Sequence, residues 1–157
     1  MPETPQEERM ARPRMAAGAL FFNDQDHVLL VRPSYKPLWD IPGGYIESGE
    51  SPMAACRREV QEELGIHPTL GGLLVVDWTP SQTVGDKILY IFDGGLLPSY
   101  EADSIKLASN ELLAAEFHPV DSLNKLLIPR LARRVKRAIA ARQQAHPQYL
   151  ERGKDPA

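Results

Sequence analysis

The sequence contains little cysteine, few aromatic residues and no long hydrophobic run. Cys56 is the single cysteine among 157 residues, so an internal disulfide is excluded and a reducing, cytoplasmic location is expected. No apolar stretch approaches the ~20 residues that a membrane-spanning helix needs. The first residues, MPETPQEERMARPRM, lack the hydrophobic segment of a secretory signal, so we expect neither secretion nor a membrane partner.

Neither sign of charge dominates the composition. The chain has 18 Lys and Arg against 21 Asp and Glu, and this near balance gives no global attraction to nucleic acid. A local exception is a predicted helix with several basic residues and no acid: Arg130, Arg133, Arg134, Lys136, Arg137 and Arg142. Such a face can bind a polyanion. Because no aromatic residue is interleaved, we interpret it as a solvated face offset by acids at 101–121, and we do not expect a nucleic-acid partner.

Apolar patterning and turn residues predict one α/β domain. Strands are predicted at 16–22, 28–32, 73–78, 87–92 and 114–120, and helices at 52–64, near 121 and at 129–143. A short segment at 39–41 precedes the glycine loop. This interleaving favours a mixed sheet between helical layers. Polar, proline-containing ends predict a flexible N-terminal segment at 1–13 and a flexible tail at 145–157, around a domain at 14–144.

The strongest functional signal lies in residues 44–66, GYIESGESPMAACRREVQEELGI. Ser51 suits the N-cap position of a helix, and Pro52 suits the first helical position, where its missing N–H costs nothing. Gly65 suits the left-handed residue that ends a helix. These signals predict a helix over 52–64.

This predicted helix has two distinct faces. An apolar stripe recurs every four residues at Cys56, Val60 and Leu64, so we interpret Cys56 as a core residue rather than a nucleophile. Three carboxylates share another face, at Glu59, Glu62 and Glu63. Like charges at this spacing repel one another, whereas hard divalent cations require oxygen ligands. A merely solvated acidic face is the alternative, but it explains neither the spacing from Gly44 nor the presence of Arg58.

The segment resembles the signature of the Nudix hydrolases, G-x5-E-x7-R-E-U-x-E-E-x-G-U, where U is a bulky aliphatic residue. Every specified position is filled: Gly44, Glu50, Arg58, Glu59, Val60, Glu62, Glu63, Gly65 and Ile66. The flank at 38–44, LWDIPGG, is also similar to the family. The resemblance implies an α/β/α sandwich with a mixed β-sheet, and an enzyme that hydrolyses a nucleoside diphosphate linked to another group.

The resemblance also implies roles for the motif residues. Mg²⁺ or Mn²⁺ would be bound by the side chains of Glu59, Glu62 and Glu63, with the backbone carbonyl of Gly43. Arg58 and Glu50 would orient these ligands and brace the loop against the helix. A direct phosphate contact and an ordinary surface position are the alternatives for Arg58.

A general base can lie outside the motif. Some family members use a glutamate on a downstream loop, several residues before an aromatic residue, and Glu111 before Phe117 has that form. Three other acids compete with it: Glu101, Asp103 and Glu116. A base within the motif itself, Glu59 or Glu62, is also open.

Substrate identity has weaker signals. Candidate substrate contacts are Arg32 for a phosphate and Trp39, Trp78 and Tyr90 as stacking surfaces, with Tyr35 also available. ADP-ribose, a nucleotide sugar and a (d)NTP are the candidate substrates; Pro80, fifteen residues after Gly65, resembles a mark of ADP-ribose pyrophosphatases. A non-catalytic nucleotide sensor and a prenyl diphosphate isomerase are the alternative functions. Family members often dimerise, so a homodimer is also considered.

Overall fold

A mixed β-sheet forms the centre of the fold within residues 1–108 and 110–157, which the computed structural model describes. Its strands are β1 (Arg14–Phe22), β2 (Val28–Pro33), β3 (Gly43–Tyr45), β4 (Leu73–Thr79), β5 (Lys87–Leu96), β6 (Leu112–His118) and β7 (Gln148–Glu151). The helices are α1 (Pro5–Glu8), α2 (Pro52–Leu64), α3 (Ser99–Ala102), α4 (Leu123–Leu126) and α5 (Pro129–Gln144), with a 3₁₀ turn at Val120–Ser122. None of the helices described is long and apolar enough to cross a membrane.

The strand order is β6-β2-β1-β5-β4-β7, and β3 pairs with β1 beside this path. The pairs β1–β5 and β4–β7 are parallel. The pairs β1–β2, β1–β3, β2–β6 and β4–β5 are antiparallel. The sheet is therefore mixed, as predicted.

Alternation along β1 divides the core into two layers. Leu20 and Phe22 pack in the layer that contains the apolar face of α5, whereas Ala19 and Phe21 pack in the layer that contains α2. Cys56, Val60 and Leu64 are fully buried in the α2 layer. Helices thus cover both faces of the sheet, and the predicted α/β/α sandwich is confirmed.

Cys56 is a core residue, as its position in the stripe predicts. Burial, with a contribution from the charge of Glu63, raises the pKa of the Cys56 thiol to about 12. A thiol with so high a pKa is a poor nucleophile at neutral pH.

The short segment at 39–41 is not a strand in the structure. Asp40 forms only an isolated bridge with Val31, and the strand begins at Gly43. The reason is backbone packing: a Cβ on Gly43 would collide with the Ala17 carbonyl, so glycine lets this segment pair closely with β1.

The largest difference between expectation and structure is at residues 145–157, which the sequence predicts to be a flexible tail. Residues 148–151 form β7, in which Leu150 is fully buried. Beyond it, the Gly153 N–H donates to the buried Asp77 carboxylate at 3.0 Å. Four strand residues are too few for a period to be recognised in the sequence. At the other end, residues 1–13 contain only α1, whose residues are all exposed.

Three basic residues of α5 form ion pairs with acids in other segments, which a merely solvated face would not require. Arg134 is buried against Asp77, Arg142 pairs with Asp93, and Arg137 pairs with Asp155. These acids lie in β4, in β5 and after β7, rather than at 101–121 as expected from the sequence.

Candidate active site

Helix α2 begins and ends where its capping residues predict. The Ser51 hydroxyl accepts from the Ala54 N–H at 3.1 Å, Pro52 opens the helix, and Gly65 ends it with φ of 68°. The two caps fix which side chains face the loop after β3. That orientation brings the carboxylate face of α2 against residues 43–50.

Arg58 is the centre of the polar network between this loop and α2. Its Nε and Nη2 donate to the two oxygens of Glu50 at 2.7 and 2.9 Å. Its Nη1 donates to Glu59 at 2.9 Å and to Glu62 at 3.2 Å, and Nη2 also reaches the Tyr45 carbonyl at 3.2 Å. One guanidinium therefore gathers three carboxylates, which is the arrangement that the orienting role requires.

Glu50 is held in its charged form by these contacts. The hydrogen bonds from Arg58, followed by the Glu47 N–H, lower the pKa of Glu50 to about 2. The same pairing with Glu50, then Glu59, raises the pKa of Arg58 above its usual value. The loop is thus fastened to α2 by charges that persist over the physiological pH range.

Two glycines allow the carboxylates to approach the backbone. A Cβ on Gly44 would lie 2.5 Å from the carboxyl carbon of Glu59. The Gly43 N–H donates to Glu63 Oε1 at 2.8 Å. Glycine at 44 is therefore needed because the Glu59 side chain fills the space beside it, whereas glycine at 43 is needed because the β1 backbone does.

Glu63 lies in surroundings that oppose its negative charge. Its burial raises its pKa to about 8, the Gly43 hydrogen bond opposes this effect, and the charges of Glu59, Asp40 and Glu111 add to it. Burial likewise raises the pKa of Glu59, against the lowering effect of Arg58. Both carboxylates would be stabilised as anions by a bound cation.

We expect the stability of the metal-free protein to depend on Glu63. The unfolded chain loses the Glu63 proton near its ordinary pKa of 4.5, whereas the folded chain retains it up to about 8. Between these values the folded state binds more protons, so the Glu63 contribution to stability falls by a few kcal/mol as pH rises. Denaturant unfolding with a chelator, at several pH values, should show this loss in the wild type but not in Glu63→Gln.

Glutamine is a suitable comparison because its carbonyl can still accept from Gly43. Groups far from Glu63 titrate equally in both proteins, so the difference between the two stability curves reports Glu63 together with the carboxylates coupled to it, chiefly Glu59. Curves that stay parallel from pH 4.5 to 8 would contradict the raised pKa.

The donor set fits a hard divalent cation by its chemistry. Glu59 and Glu62 share one Arg58 nitrogen, and Glu63 is bonded to Gly43, whose carbonyl adds an oxygen. All of these are oxygen ligands of the kind that Mg²⁺ and Mn²⁺ prefer. Among the described residues, no three His, Cys, Asp or Glu side chains are already arranged to hold a metal ion. Glu62, whose side chain is 57% exposed, has room to turn towards its neighbours.

Glu111 lies in the turn that precedes β6, on the side of the carboxylates. The negative charge of Glu111 helps to raise the pKa of Glu59 and of Glu63, although burial is the largest cause for both. The turn is tied to α2, because the Ala108 N–H donates to the Glu63 carbonyl and the Glu111 N–H donates to Ala108. Among its competitors, Glu116 lies on β6 with its carboxylate 3.4 Å from His118 Nε2.

A groove of about 290 Å³ opens beside the carboxylate cluster. Its floor comes from β1 and β5, its walls from β3, the segment at 35–41 and the first turns of α5. Lining residues that carry polar side-chain groups are Tyr35, Lys36, Asp40, Tyr45, Lys87, Tyr90 and Arg134. The groove is continuous with the loop that Arg58 fastens, since Gly43, Gly44 and Tyr45 also line it.

Only some of the residues proposed to contact the substrate lie together in the structure. Tyr90 and Tyr35 line the groove. In the part of the chain that the structure describes, the other candidates lie elsewhere. Trp39 packs edge-on against His118, Trp78 lies beneath Arg152, and Arg32 is exposed on β2.

Sequence reasoning missed Asp40 and Arg134 as residues of the groove. Asp40 stands inside the LWDIPGG flank, whose resemblance to the family gives Asp40 no role of its own. Arg134 was assigned to a solvated face because its partner Asp77 is 57 positions away. Only Asp40 lies in a segment whose local sequence resembles the family, so only Asp40 could have been found from neighbouring residues.

Comparisons with known proteins agree with the fold and the motif. A sequence model of the NUDIX domain matches residues 12–141. The chain is 36% identical over 138 residues to human 8-oxo-dGDP phosphatase NUDT18, covering 84% of this chain and 41% of that protein. It is 30% identical over 121 residues to ADP-ribose pyrophosphatase from Methanocaldococcus jannaschii, covering 73% of this chain and 66% of that protein. The chain spans less than two thirds of the length of these relatives.

Solved structures give the same picture. A UDP-X diphosphatase is similar with a TM-score of 0.72 and 25% identity, over 93% of this chain and 70% of that one. The MutT protein from Methanosarcina mazei Go1 is similar with a TM-score of 0.68 and 24% identity, over 87% of this chain and 98% of that one. The second likeness concerns the fold alone.

Proposed function

We propose a function from one premise: the chain belongs to the NUDIX family, whose domain model matches residues 12–141. The proposed reaction is the divalent-metal-dependent hydrolysis of a diphosphate bond in a nucleoside diphosphate derivative. The observation that carries the proposal is the gathering of Glu50, Glu59 and Glu62 by Arg58, beside a groove that can receive a nucleoside.

The metal ligands in this proposal are Glu59, Glu62, Glu63 and the Gly43 carbonyl. When bound, Mg²⁺ or Mn²⁺ would neutralise phosphate charge, orient the diphosphate and lower the pKa of a water molecule. Arg58 would keep Glu59 and Glu62 directed to one place, and Glu50 would hold Arg58 in turn. Arg58 and Glu50 thus support the site by positioning other groups.

Glu111 is the general base of the proposed mechanism. Its exposed carboxylate follows a turn bonded to α2, so it can accept the proton of the attacking water from outside the motif. If the attacking water kept both protons while the new P–O bond formed, its oxygen would become positively charged and strongly acidic. Transfer of one proton to Glu111 would avoid this charge in the transition state. Glu59 and Glu62 are less suited to this task because Arg58 occupies them.

The groove would hold the nucleoside end of the substrate. Tyr90 offers an aromatic surface, and Lys36 and Lys87 bring positive charge to an anionic ligand. The related proteins are named for different nucleotides, 8-oxo-dGDP, ADP-ribose and UDP-X. ADP-ribose, a nucleotide sugar and a (d)NTP, including an oxidised one, are therefore the substrates to examine.

A substrate panel with Mg²⁺ or Mn²⁺ tests the proposal. We expect hydrolysis at a diphosphate bond, with AMP and ribose phosphate from ADP-ribose, or a monophosphate and pyrophosphate from an NTP. Activity should disappear with a chelator and return with either metal. Nucleotide binding by calorimetry without cleavage across the panel would contradict catalysis and favour the sensor alternative.

A further inference from the structure

Residues 148–155 are fastened to α5, the helix that supplies one wall of the groove. Leu150 is fully buried in the same core layer as Ile91 and Leu131, two residues that line the groove. Two arginines of α5 also donate to this segment, Arg133 to the Arg152 carbonyl at 3.0 Å and Arg137 to Gln148 and Asp155 at 2.6 Å each. The segment is therefore part of the layer on which the groove is built.

The NUDIX domain model matches residues 12–141, so residues 148–155 lie beyond the match. The family resemblance therefore assigns this segment no role. Among the described residues that line the groove, none belongs to the segment. Any influence of the segment on a ligand must pass through side chains that connect it with the groove.

Arg134 is the groove residue at which such a connection ends. Its side chain is only 10% exposed, and it lines the groove. Nε donates to Asp77 at 2.6 Å, and Nη2 lies 3.5 Å from the Thr79 hydroxyl. A guanidinium carries five N–H donors, so these two contacts leave three that a ligand in the groove can use.

Asp77 joins Arg134 to Gly153. Asp77 is fully buried, and one of its carboxylate oxygens accepts from Arg134 at 2.6 Å while the other accepts from the Gly153 N–H at 3.0 Å. The carboxylate cannot turn without breaking one of these bonds, because each oxygen has its own donor. The direction of the Arg134 guanidinium therefore depends on where Gly153 lies.

Gly153 lies close to α5 because it has no side chain. Its φ of 72° is a left-handed conformation that glycine adopts at little cost. A Cβ at this position would lie 3.0 Å from the Arg130 carbonyl oxygen and 3.3 Å from the Arg133 Cβ, both closer than an ordinary contact. A larger residue would push the turn away from α5 and lengthen the hydrogen bond to Asp77.

We propose that Gly153 and Asp77 are positioning residues for the nucleoside groove, and that they act by fixing the Arg134 guanidinium where it meets the substrate. This inference rests on the proposed function, because that function places the nucleoside in the groove. Gly153 and Asp77 do not touch the substrate themselves. Residues 148–155 then contribute to substrate binding through the two oxygens of one buried carboxylate.

Gly153→Ala tests this connection. Steady-state kinetics with Mg²⁺ are measured on each of ADP-ribose, UDP-glucose and GTP that the wild type cleaves. We expect KM to rise about threefold to tenfold, the effect of weakening a hydrogen bond to a charged group. We expect kcat to stay within about twofold, because the proposed metal ligands lie on α2, in the other layer of the core.

The division between KM and kcat excludes a merely structural role. A variant that is only less stable has fewer folded molecules, which lowers the apparent kcat and leaves KM unchanged. Gly95→Ala is the matched control, since Gly95 has a similar φ of 69° but an added Cβ there would meet nothing within 4 Å. Its KM should equal that of the wild type.

The double variant Asp77→Leu with Arg134→Met gives a second, independent measurement. Loss of both charges together should leave the protein folded, as denaturant unfolding can verify. The groove donor is then absent, so KM should rise at least as much as in Gly153→Ala. A wild-type KM in the folded double variant would overturn the inference, because Arg134 would then not meet the substrate.

Arg133→Ala replaces Gly153→Ala if the latter does not fold. It removes the hydrogen bond to the Arg152 carbonyl, next to Gly153, without adding an atom. We expect KM to rise about twofold to fivefold, as for the loss of one hydrogen bond. An unchanged KM in every folded variant at 133 and 153 would overturn the inference.

Calorimetry with ADP, GDP and UDP separates this inference from the proposed hydrolysis. If no substrate is cleaved, the proposed reaction fails, but weaker binding of these nucleotides to Gly153→Ala than to the wild type would still support the role of residue 153. Equal affinities of the two proteins, or no binding by the wild type, would overturn it.

Discussion

Replacing Glu62 by Gln should lower kcat by at least about a hundredfold and leave the fold intact. Glutamine removes the negative charge of a proposed metal ligand, and even residues that only support metal ligands change activity by 10–100-fold when mutated. The Glu62 side chain is 57% exposed and its hydrogen bond to Arg58 is the longest that Arg58 makes to a carboxylate, at 3.2 Å. The free energy of unfolding should therefore change by no more than about 0.5 kcal/mol. Steady-state kinetics and denaturant unfolding measure the two effects.

Glu8→Gln is the control for this experiment, because it makes the same chemical change on an exposed residue of α1. Its kcat should match that of the wild type. If Glu62→Gln also kept kcat within twofold at saturating metal, Glu62 would have no part in metal binding. A loss of activity accompanied by an equal loss of folded protein would indicate a structural role instead.

Replacing Asp77 by Ala should destabilise the protein by about 3–5 kcal/mol, the usual result of breaking a buried ion pair on one side. Asp77 is fully buried, accepts from Arg134 at 2.6 Å and accepts from the Gly153 N–H at 3.0 Å. Alanine would leave the buried guanidinium without its counter-charge and the Gly153 N–H without its acceptor. A loss of this size is a large part of the stability of a typical domain.

Asp155→Ala provides a matched comparison. Asp155 also pairs with an arginine of α5, Arg137, at 2.6 Å, but its side chain is 75% exposed. An exposed pair contributes less than about 1 kcal/mol, so the midpoint of denaturant unfolding should hardly move. Equal midpoints for the two variants would show that the Asp77 pair contributes no more than a surface pair.

The double variant Asp77→Leu with Arg134→Met identifies the cause of the loss. Removing both charges together should recover most of the stability, because the penalty comes from the unpaired partner rather than from the absent pair. A double variant as unstable as Asp77→Ala would instead indicate that the loss comes from packing around β4.

Local signals account for the parts of the structure that the sequence predicts well. Helix α2 begins after Ser51 and ends before Gly65 because both caps act within one turn of the helix. The Arg58 network is equally local, since its carboxylate partners lie within 11 positions on either side. Periodicity likewise locates β1, β2, β4, β5 and α5 to within a few residues.

Contacts between distant segments account for what the sequence analysis did not find. The Arg134–Asp77 pair and the bond from Gly153 to Asp77 join β4 to residues 57 and 76 positions away. The groove exists only after β1, β3, β5 and α5 have met, so no single segment indicates which aromatic residue enters it. Tyr90 and Trp78 look alike in sequence, but only the first lies in the groove.

The pairing of β7 with β4 has a kinetic consequence. During synthesis from the N-terminus, β1 to β6 and α5 become available before residues 148–151 exist, so the sheet can form while its last edge is open. In that interval Asp77 has Arg134 but not the Gly153 N–H, and the β4 edge presents unpaired backbone groups. The arrival of β7 covers the β4 edge, so we expect the newly made chain to be open to strand addition at β4 until residues 148–151 dock.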